Sequence, residues 1–388
     1  MDPAATTRVV SEHPGARDAG TWKQALLAAV PAWITARVVV LGALGYAHYV
    51  ADEVRPGRAI VARTVHEGLL AWDGSWYADI ASRGYGALGS ESLRFFPGFP
   101  LLARGLGTVI GDRAALVVIA NVAALVAALL LYRLVRWERG DERLATRAAW
   151  FLSIAPPAFV FVMGYSDALA IALAIAAFLA MRKGQWWWAA AAALAVGICR
   201  PTGFLLAVPI AVEAWSSWSV ESRSRASSAA ARVAAVVAAP VGSLLYLLWV
   251  GSQYDDALLP YRVQTSARLH GAFANPFTTM WHAVEGGFDG RVGTALHVPW
   301  LVLLVVLVVV VFRRWPLAYG VFAAVVVASA VTSQNLDSLE RYALFAFPLV
   351  LALADLAASR LVERIVYVLL PVALFGYATL AFFGLYVP

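Results

Sequence analysis

The sequence predicts an all-α polytopic membrane protein, and three observations support this prediction. Of its 388 residues, 61% are hydrophobic and 14% are charged, whereas a soluble domain is about half apolar and about a quarter charged. Apolar runs of roughly 17–25 residues, the length that crosses a bilayer core, recur along the chain. The first run, 25–50, is longer than the apolar core of a signal peptide, so we expect an uncleaved helix there.

These runs predict eleven spanning helices within a single domain, residues 1–388. Two of the runs, 186–199 and 203–215, are short, and we expect a kink at Pro201 or a re-entrant path there. Residues 95–110 are also apolar but contain helix-breaking prolines, so we expect an interfacial helix instead of a span. The predicted spans are 25–50, 114–132, 148–163, 166–181, 186–199, 203–215, 232–250, 298–312, 316–333, 342–358 and 365–387.

The basic residues predict the orientation of these helices. With the N-terminus in the cytoplasm, more than half of the 30 Lys and Arg residues fall in the N-terminal tail and the short inner connections, as cytoplasmic loops usually show. Two long loops, 51–113 and 251–297, then lie outside the cytoplasm. The same excess accounts for the net charge of +6. No clustered basic surface is present, so we expect no nucleic-acid partner.

The residue inventory excludes several kinds of site. Cys199 is the single cysteine, so neither an intramolecular disulfide nor a cysteine metal cluster can form. No pair of histidines has the spacing of a metal site, and the sequence contains neither an Asp-x-Asp triplet nor a Walker motif. We therefore expect no metal ion, no other cofactor and no soluble nucleotide-binding domain.

The first outer loop contains the clearest candidate for chemistry. Trp72 and Trp76 lie four residues apart, as do Asp73 and Tyr77, so each pair shares one face of a helix. Trp and Tyr concentrate at the headgroup level of a bilayer, and a carboxylate at that level can act as a general base for a hydroxyl group. The alternative is that Asp73 only stabilises the N-terminal dipole of a helix. Asp79 is expected to point away from Asp73.

An aromatic and proline-rich stretch follows, Arg94-Phe95-Phe96-Pro97. Two interpretations are open for it. In the first, the stretch lines a slot for a lipid chain. In the second, it only anchors the loop at the membrane interface, where aromatic residues are enriched.

Four ionisable residues lie at membrane edges or at membrane depth. Asp167, Arg200 and Arg341 stand at predicted outer edges, and Arg37 stands within the first span. Such residues cost a few kcal/mol to place in a membrane and are functional candidates by default, and a guanidinium binds two phosphate oxygens at once. We expect Asp167, which follows Tyr165, to cap the helix after it. For Arg37 the alternative is a buried partner for another polar group.

In these motifs the chain resembles the second mannosyltransferase of GPI-anchor biosynthesis and its bacterial relatives, which are multi-spanning transferases of the GT-C type. One similar motif, Tyr165-Ser166-Asp167, departs from the family's Tyr-Ser-Glu because Asp is a shorter acid than Glu. The resemblance extends over nearly the whole chain, and the order and spacing of the motifs make it specific. The motifs are Trp72-Asp73 with Tyr77, Phe95-Phe96-Pro97 with Phe99-Pro100, Tyr165-Ser166-Asp167, Arg200-Pro201-Thr202-Gly203, and Arg341-Tyr342 with Pro348.

The resemblance implies a GT-C-like fold with about eleven transmembrane helices and an inverting transfer of a sugar, which we expect to be mannose. It implies a polyprenyl-phosphate donor, a glycolipid or glycan acceptor and surrounding membrane lipid, with the active site on the extracytoplasmic face of the bacterial cytoplasmic membrane. Asp73 is the expected base. Arg200, Arg341 and Arg94, in falling order, are expected to bind the donor phosphate. The expected pocket comprises Trp72, Trp76, Tyr77, Phe95, Phe96, Tyr165, Asp167 and Arg37.

Two other function classes compete with this hypothesis. A membrane transporter or lipid-linked-sugar flippase favours an inverted repeat and charged residues near mid-bilayer, but the sequence shows no repeat and its charges gather at the outer edge. A non-catalytic assembly factor does not need Trp72-Asp73 together with arginines at the membrane edge. Convergence of Asp73 and these arginines on one cavity is the observation that favours the transferase.

Overall fold

The computed structural model is a bundle in which every described secondary-structure element is a helix. The described residues are 18–54, 59–218, 226–266, 271, 274–288, 292–332, 336 and 338–388. The α-helices, numbered in chain order, are α1 Trp22–Tyr49, α2 Ala59–Glu67, α3 Asp73–Arg83, α4 Gly98–Ile110, α5 Asp112–Arg139, α6 Glu142–Ile154, α7 Asp167–Arg182, α8 Trp186–Cys199, α9 Ala207–Ser216, α10 Ala226–Tyr254, α11 Leu259–Gln264, α12 Pro276–Phe288, α13 Val292–Arg314, α14 Leu317–Val331, α15 Leu339–Phe345, α16 Pro348–Leu356 and α17 Arg360–Phe382.

Among the described residues, five helices are long and apolar enough to cross a membrane, which indicates an integral membrane protein. Their outer faces are apolar, as Val368, Leu369 and Val372 of α17 show with exposed fractions of 58–64%. Three of the shorter apolar helices coincide with further predicted spans, so the number eleven stays a prediction. The five are Trp22–Val54, Asp112–Arg139, Ser227–Tyr254, His297–Arg314 and Arg360–Phe382; the shorter ones are Gly98–Ile110, Trp186–Cys199, Gly203–Ser216 and Leu317–Val331.

Two of the predicted spans, 148–163 and 342–358, are broken in the structure. Helix α6 ends at Ile154, and the chain continues as a 3₁₀-helix at Pro156–Phe161. Helix α15 ends at Phe345, and two residues separate it from Pro348, which begins α16. Proline lacks a backbone N–H, and it disfavours the α conformation in the residue before it, which is extended in ψ at Ala155. The prediction of one continuous helix is therefore wrong at both places.

The helices of the first loop form a smaller second core against the bundle. Helix α4 occupies the stretch that was expected to be interfacial, and its Phe99 is buried together with Phe96. Tyr246 of α10 packs on Phe96 with ring centroids 4.7 Å apart, and its hydroxyl donates to the carbonyl of Leu93 at 2.8 Å. The loop is thereby held at one end of α5 and α10, with Arg94 beside the anchored aromatic residues.

Helices α8 and α10 approach each other closely because small residues line their contact. A Cβ atom added at Gly197 would collide with the carbonyl of Ala239, and one at Gly242 would collide with that of Leu194. Small residues at such contacts let helix backbones come together within a membrane. The contact fixes the end of α8 and therefore the position of Arg200, the residue directly after it.

A buried ionic cluster lies around Arg182, at the C-terminal end of α7. Arg182 places its Nε 2.5 Å from Glu138 Oε1 and its Nη1 2.6 Å from Glu213 Oε1. Both carboxylates are nearly inaccessible, with 4% and 6% of their side-chain surface exposed. Tyr319 also donates its hydroxyl to Glu138 at 3.1 Å. One arginine therefore compensates two carboxylates that water does not reach.

Replacement of Arg182 by Met is expected to destabilise the fold by about 3–5 kcal/mol, because it leaves two carboxylates buried and uncompensated. Unfolding of the purified protein in detergent measures this effect. The matched control is Arg83→Met, since Arg83 pairs with Asp79 at 2.7 Å on a surface that is about half exposed. Such pairs contribute at most about 1 kcal/mol, so an equal loss in both variants would contradict the prediction.

Candidate active site

A cavity of about 300 Å³ lies where α3, α7, α11, α14 and α15 meet the chain that follows α8. This volume is at the lower end of the range for small-molecule sites. The lining residues that the structure describes are Asp73, Tyr77, Arg94, Phe95, Ser166, Asp167, Arg200, Pro201, Thr202, Tyr261, Gln264, Thr265, Gly271, Val326, Ser329, Ala330, Thr332, Arg341 and Tyr342.

Asp73 is the first residue of α3 and stands in the wall of this cavity. The residue before it, Trp72, has φ 60° and ψ −122°, a conformation that costs a residue with a side chain about 1–3 kcal/mol. The indole Nε1 of Trp72 donates to the carbonyl of Ala381 at 2.9 Å, and the Asp73 backbone N–H donates to the hydroxyl of Tyr165 at 3.2 Å. These contacts hold the strained turn and fix where α3 begins.

Four charged side chains form a row along the cavity in which acidic and basic groups alternate. Arg341 Nη1 lies 2.6 Å from Asp73 Oδ2 and 3.7 Å from Asp167 Oδ2, and Arg200 Nη1 lies 2.6 Å from Asp167 Oδ1. The exposed fraction of these side chains is 3% for Asp167, 6% for Arg200, 9% for Arg341 and 18% for Asp73. Buried charges are tolerated when they are paired and hydrogen-bonded, which explains the alternation. Of these four side chains, Asp73 is the most accessible to solvent.

Tyr77 stands one turn after Asp73 on the same face of α3, as the four-residue spacing predicts. Its hydroxyl lies 2.8 Å from Ser166 Oγ, and its ring meets Phe95 and Phe99 edge-on with centroids 5.0 Å apart in both cases. Burial raises the pKa of Tyr77 well above its ordinary value, and the charge of Asp73 raises it further. Tyr77 is therefore a neutral hydrogen-bonding group at neutral pH.

Arg94 differs from the other two arginines of the cavity. Its guanidinium carbon lies 4.4 Å from the ring centroid of Phe95 and 6.0 Å from that of Trp76. Its Nε is buried without a hydrogen-bond partner. No carboxylate of the described residues lies within ion-pair distance of it, in contrast to Arg200 and Arg341. Stacking on aromatic rings places this guanidinium without neutralising it.

The cavity therefore has an excess of positive charge. Three arginines and two aspartates line it, and Arg94 is the arginine without an ion pair within the described part of the chain. Arg341 also keeps a buried Nε without a partner. A buried donor left unpaired costs about 1–3 kcal/mol, and a guanidinium can bind two oxygens of an anion at once. Within the described residues no three His, Cys, Asp or Glu side chains are placed to hold a metal ion.

The structure brings most of the candidate residues to one place. Seven of them line the cavity, and two more support it. Tyr165 lies under Arg341, with 5.3 Å between its ring centroid and the guanidinium carbon, and Trp76 stacks on Phe95 with centroids 5.9 Å apart. The seven lining residues are Asp73, Tyr77, Arg94, Phe95, Asp167, Arg200 and Arg341.

Like Tyr165 and Trp76, three further candidates for the pocket do not line the cavity: Trp72, Phe96 and Arg37. Trp72 reaches back to α17, and Phe96 belongs to the second core. Arg37 donates its Nε to the side chain of Asn121 at 2.8 Å and its Nη2 to the carbonyl of Phe161 at 3.2 Å. The alternative interpretation of Arg37, a partner for other buried polar groups, therefore describes its position. Arg37 therefore links α1 to α5 through Asn121.

The prediction that Asp167 caps its helix is wrong. Ser166 is the residue before the helix, and Asp167 is the first helical residue. Its carboxylate is taken up by Arg200 and Arg341, which arrive from two other elements. Charged partners stabilise a buried carboxylate more strongly than a neutral backbone N–H does, so the tertiary contacts determine where the side chain points.

Several polar lining residues had no signal in the sequence. Gln264 and Thr265 belong to α11 and the residue after it, which lie in the second long loop, and Ser329 and Thr332 lie at the end of an apolar helix. Tyr261 donates its hydroxyl to the carbonyl of Pro201 at 2.9 Å and so ties α11 to the chain next to Arg200. Isolated polar residues in a loop or at a helix end do not distinguish a cavity wall from an ordinary surface.

No protein-family model matches the sequence, and a search of curated proteins finds no significant match.

Proposed function

We propose that the chain is an integral membrane glycosyltransferase that transfers a sugar, mannose in our expectation, from a polyprenyl-phosphate donor to a hydroxyl group of a glycolipid or glycan acceptor. The observation that carries the proposal is a single cavity lined by a partly exposed carboxylate, Asp73, and by two arginines, Arg94 and Arg341, of which Arg94 has no carboxylate partner among the described residues. The resemblance of the motifs around these residues to GT-C mannosyltransferases supports the same proposal.

Asp73 suits the role of base better than Asp167, the other carboxylate of the cavity. Asp167 is almost fully buried and held by two arginines. Asp73 is more exposed, and only its Oδ2 is engaged, by Arg341. Its Oδ1 makes no hydrogen bond within the described part of the chain, so it can accept one from a substrate hydroxyl. A base must lie within hydrogen-bond reach of the proton it takes.

The proposed reaction is a single displacement. The acceptor oxygen forms a bond to the anomeric carbon of the sugar while its proton passes to Asp73 Oδ1. The bond between the anomeric carbon and the phosphate oxygen breaks, and its electron pair leaves with the polyprenyl phosphate. Attack on the face opposite the leaving group inverts the anomeric configuration. Because phosphate leaves readily without a proton, one carboxylate suffices, unlike the pair that glycoside hydrolysis requires.

The geometry favours a different order of phosphate-binding arginines from the one that the sequence predicts. Arg200 is engaged by Asp167 through Nη1 and by Thr202 through Nε at 3.1 Å, so we assign it to holding Asp167. Arg341 has one Nη bound to Asp73, and its second Nη makes no hydrogen bond within the described part of the chain. Arg94 is free of carboxylates among the described residues. We therefore propose that Arg94 and Arg341 stabilise the charge that develops on the leaving phosphate.

Purified protein in detergent or nanodiscs tests the proposed function directly. A radiolabelled polyprenyl-phosphate mannose is supplied with a membrane lipid extract as the source of acceptor, and transfer of label to a new glycolipid or glycan is followed. Comparison of lipid-linked glycans from cells with and without the gene identifies the acceptor. Movement of the labelled donor across the bilayer of proteoliposomes without transfer would contradict the proposal and favour a flippase.

The site is proposed to face the extracytoplasmic side of the bacterial cytoplasmic membrane, with the N-terminus in the cytoplasm. We expect an impermeant thiol reagent to label Ser90→Cys in intact cells and to label Ala358→Cys only after lysis, both in a Cys199→Ser background. Both positions are exposed; Ser90 lies in the first loop, and Ala358 lies in the connection between α16 and α17, on the side that is expected to be cytoplasmic. The opposite pattern of labelling would invert the orientation.

A further inference from the structure

A second buried polar cluster lies next to the cavity without lining it. Glu340 of α15 is 1% exposed, and its two carboxylate oxygens have separate partners. His297 Nδ1 of α13 lies 2.8 Å from Oε1, and the hydroxyl of Tyr386, which follows α17, donates to Oε2 at 2.8 Å. His297 and Tyr386 are themselves 2% exposed. Burying a carboxylate is costly unless it is paired and hydrogen-bonded, and here both oxygens have partners.

Glu340 and Arg341 are adjacent on α15, but their side chains contact different parts of the structure. Successive residues of an α-helix are rotated by about 100° about its axis. Glu340 therefore reaches α13 and the segment after α17, while Arg341 reaches Asp73 across the cavity at 2.6 Å. Fixing Glu340 sets the rotation of α15 about its axis and with it the direction of the Arg341 guanidinium.

Helix α15 needs external contacts to hold its position. It has seven residues, and helices of this length are unstable alone. The residue before it, Ser338, has φ 67° in the left-handed region, and its hydroxyl donates to the carbonyl of Pro388. Residues 386–388 thus hold α15 at two points, Ser338 and Glu340.

We propose that Glu340 is a positioning residue, held by His297 and Tyr386, that directs Arg341 towards Asp73 and the substrate phosphate. This inference rests on the proposed function, because it requires that Arg341 acts on an anion. It makes Tyr386 a determinant of activity although Tyr386 is not a lining residue of the cavity.

The first test is Tyr386→Phe, which removes one hydroxyl and leaves the ring in place. Loss of a hydrogen bond to a charged group, transmitted to Arg341, is expected to lower kcat/KM for sugar transfer about tenfold. The matched control is Tyr377→Phe. Tyr377 is a neighbouring tyrosine whose hydroxyl accepts from Trp300 Nε1 at 2.6 Å, and we expect this variant to stay within about twofold of wild type. Equal losses in the two variants would overturn the inference. Glu340→Gln is a second variant, expected to be impaired like Tyr386→Phe.

A double-mutant cycle separates positioning from general destabilisation. If Tyr386 acts through Arg341, Tyr386→Phe should have little further effect in an Arg341→Ala background. Additive losses would overturn the inference. The same cycle is measured on the binding of a short-chain polyprenyl monophosphate, by thermal shift, so that it does not depend on turnover. Absence of this binding in wild-type protein would overturn the proposed function and the inference together. Binding with an additive cycle would overturn the inference alone.

Discussion

Replacement of Asp73 by Asn is expected to lower sugar transfer by about 10²–10⁴-fold, because the acceptor hydroxyl is a poor nucleophile until its proton is taken up. The amide keeps the shape of the side chain and can still accept a hydrogen bond from Arg341, but it cannot act as a base. Arg341 retains Asp167 at 3.7 Å, so the fold should survive. Turnover of a polyprenyl-phosphate sugar by the purified variant, with its unfolding temperature, measures both effects.

Asp79→Asn is the matched control for this experiment. Asp79 lies on the same helix, but its carboxylate pairs with Arg83 at 2.7 Å on an exposed face and does not line the cavity. We expect its turnover to be close to that of wild type. Near-normal turnover of a folded Asp73→Asn protein would show that the base lies elsewhere, and an equal loss in Asp79→Asn would show that the effect is not specific to the cavity.

Replacement of Arg94 by Ala is expected to reduce kcat/KM about 10²-fold, the scale on which single charge-stabilising donors act in transition states. Arg94 is the guanidinium of the cavity without an ion pair within the described residues, so its removal withdraws the surplus positive charge without exposing a partner. The variant Arg94→Lys is expected to keep part of the activity that Arg94→Ala loses, since lysine supplies the charge but not the planar fork that binds two oxygens. Steady-state kinetics at several donor concentrations measure the effect.

Arg104→Ala provides the control for Arg94. Arg104 lies in α4 of the same loop, is exposed and is not a lining residue of the cavity, so its loss changes net charge equally without touching the site. Activity within about twofold of wild type is expected. Parallel losses in both variants would point to a general electrostatic effect of the loop, and full activity of Arg94→Ala would remove this arginine from phosphate binding.

The class of the fold and most of the candidate site residues could be predicted from local patterns in the sequence. The apolar content and the length of the apolar runs depend only on what a bilayer requires of a helix, and they predict the long apolar helices that the structure contains. The four-residue spacing of Asp73 and Tyr77 likewise depends only on helical periodicity, and both line the cavity from α3. Such properties extend over a few turns of one helix and can be read locally.

The positions at which the helices break were harder to predict from the sequence. The apolar stretch around Pro156 and the stretch around Pro348 have the composition of spans, and each is divided in the structure. Proline marks a place where a helix can end, but membrane helices also continue through proline, as α1 does at Pro31 and α10 at Pro240. The packing around each proline decides between the two outcomes, because neighbouring groups must satisfy the backbone carbonyl that proline leaves without a donor.

The pairing of charges was decided by the tertiary structure. Arg341 and Asp73 are 268 residues apart and Arg200 and Asp167 are 33 apart, and nothing in their local patterns indicates which carboxylate meets which arginine. Arg37 has the same local pattern as a site residue but faces Asn121. The physical reason is that desolvation makes an unpaired charge expensive, so each side chain takes the partner that helix packing brings within reach. That partner is set by contacts between segments far apart in the chain.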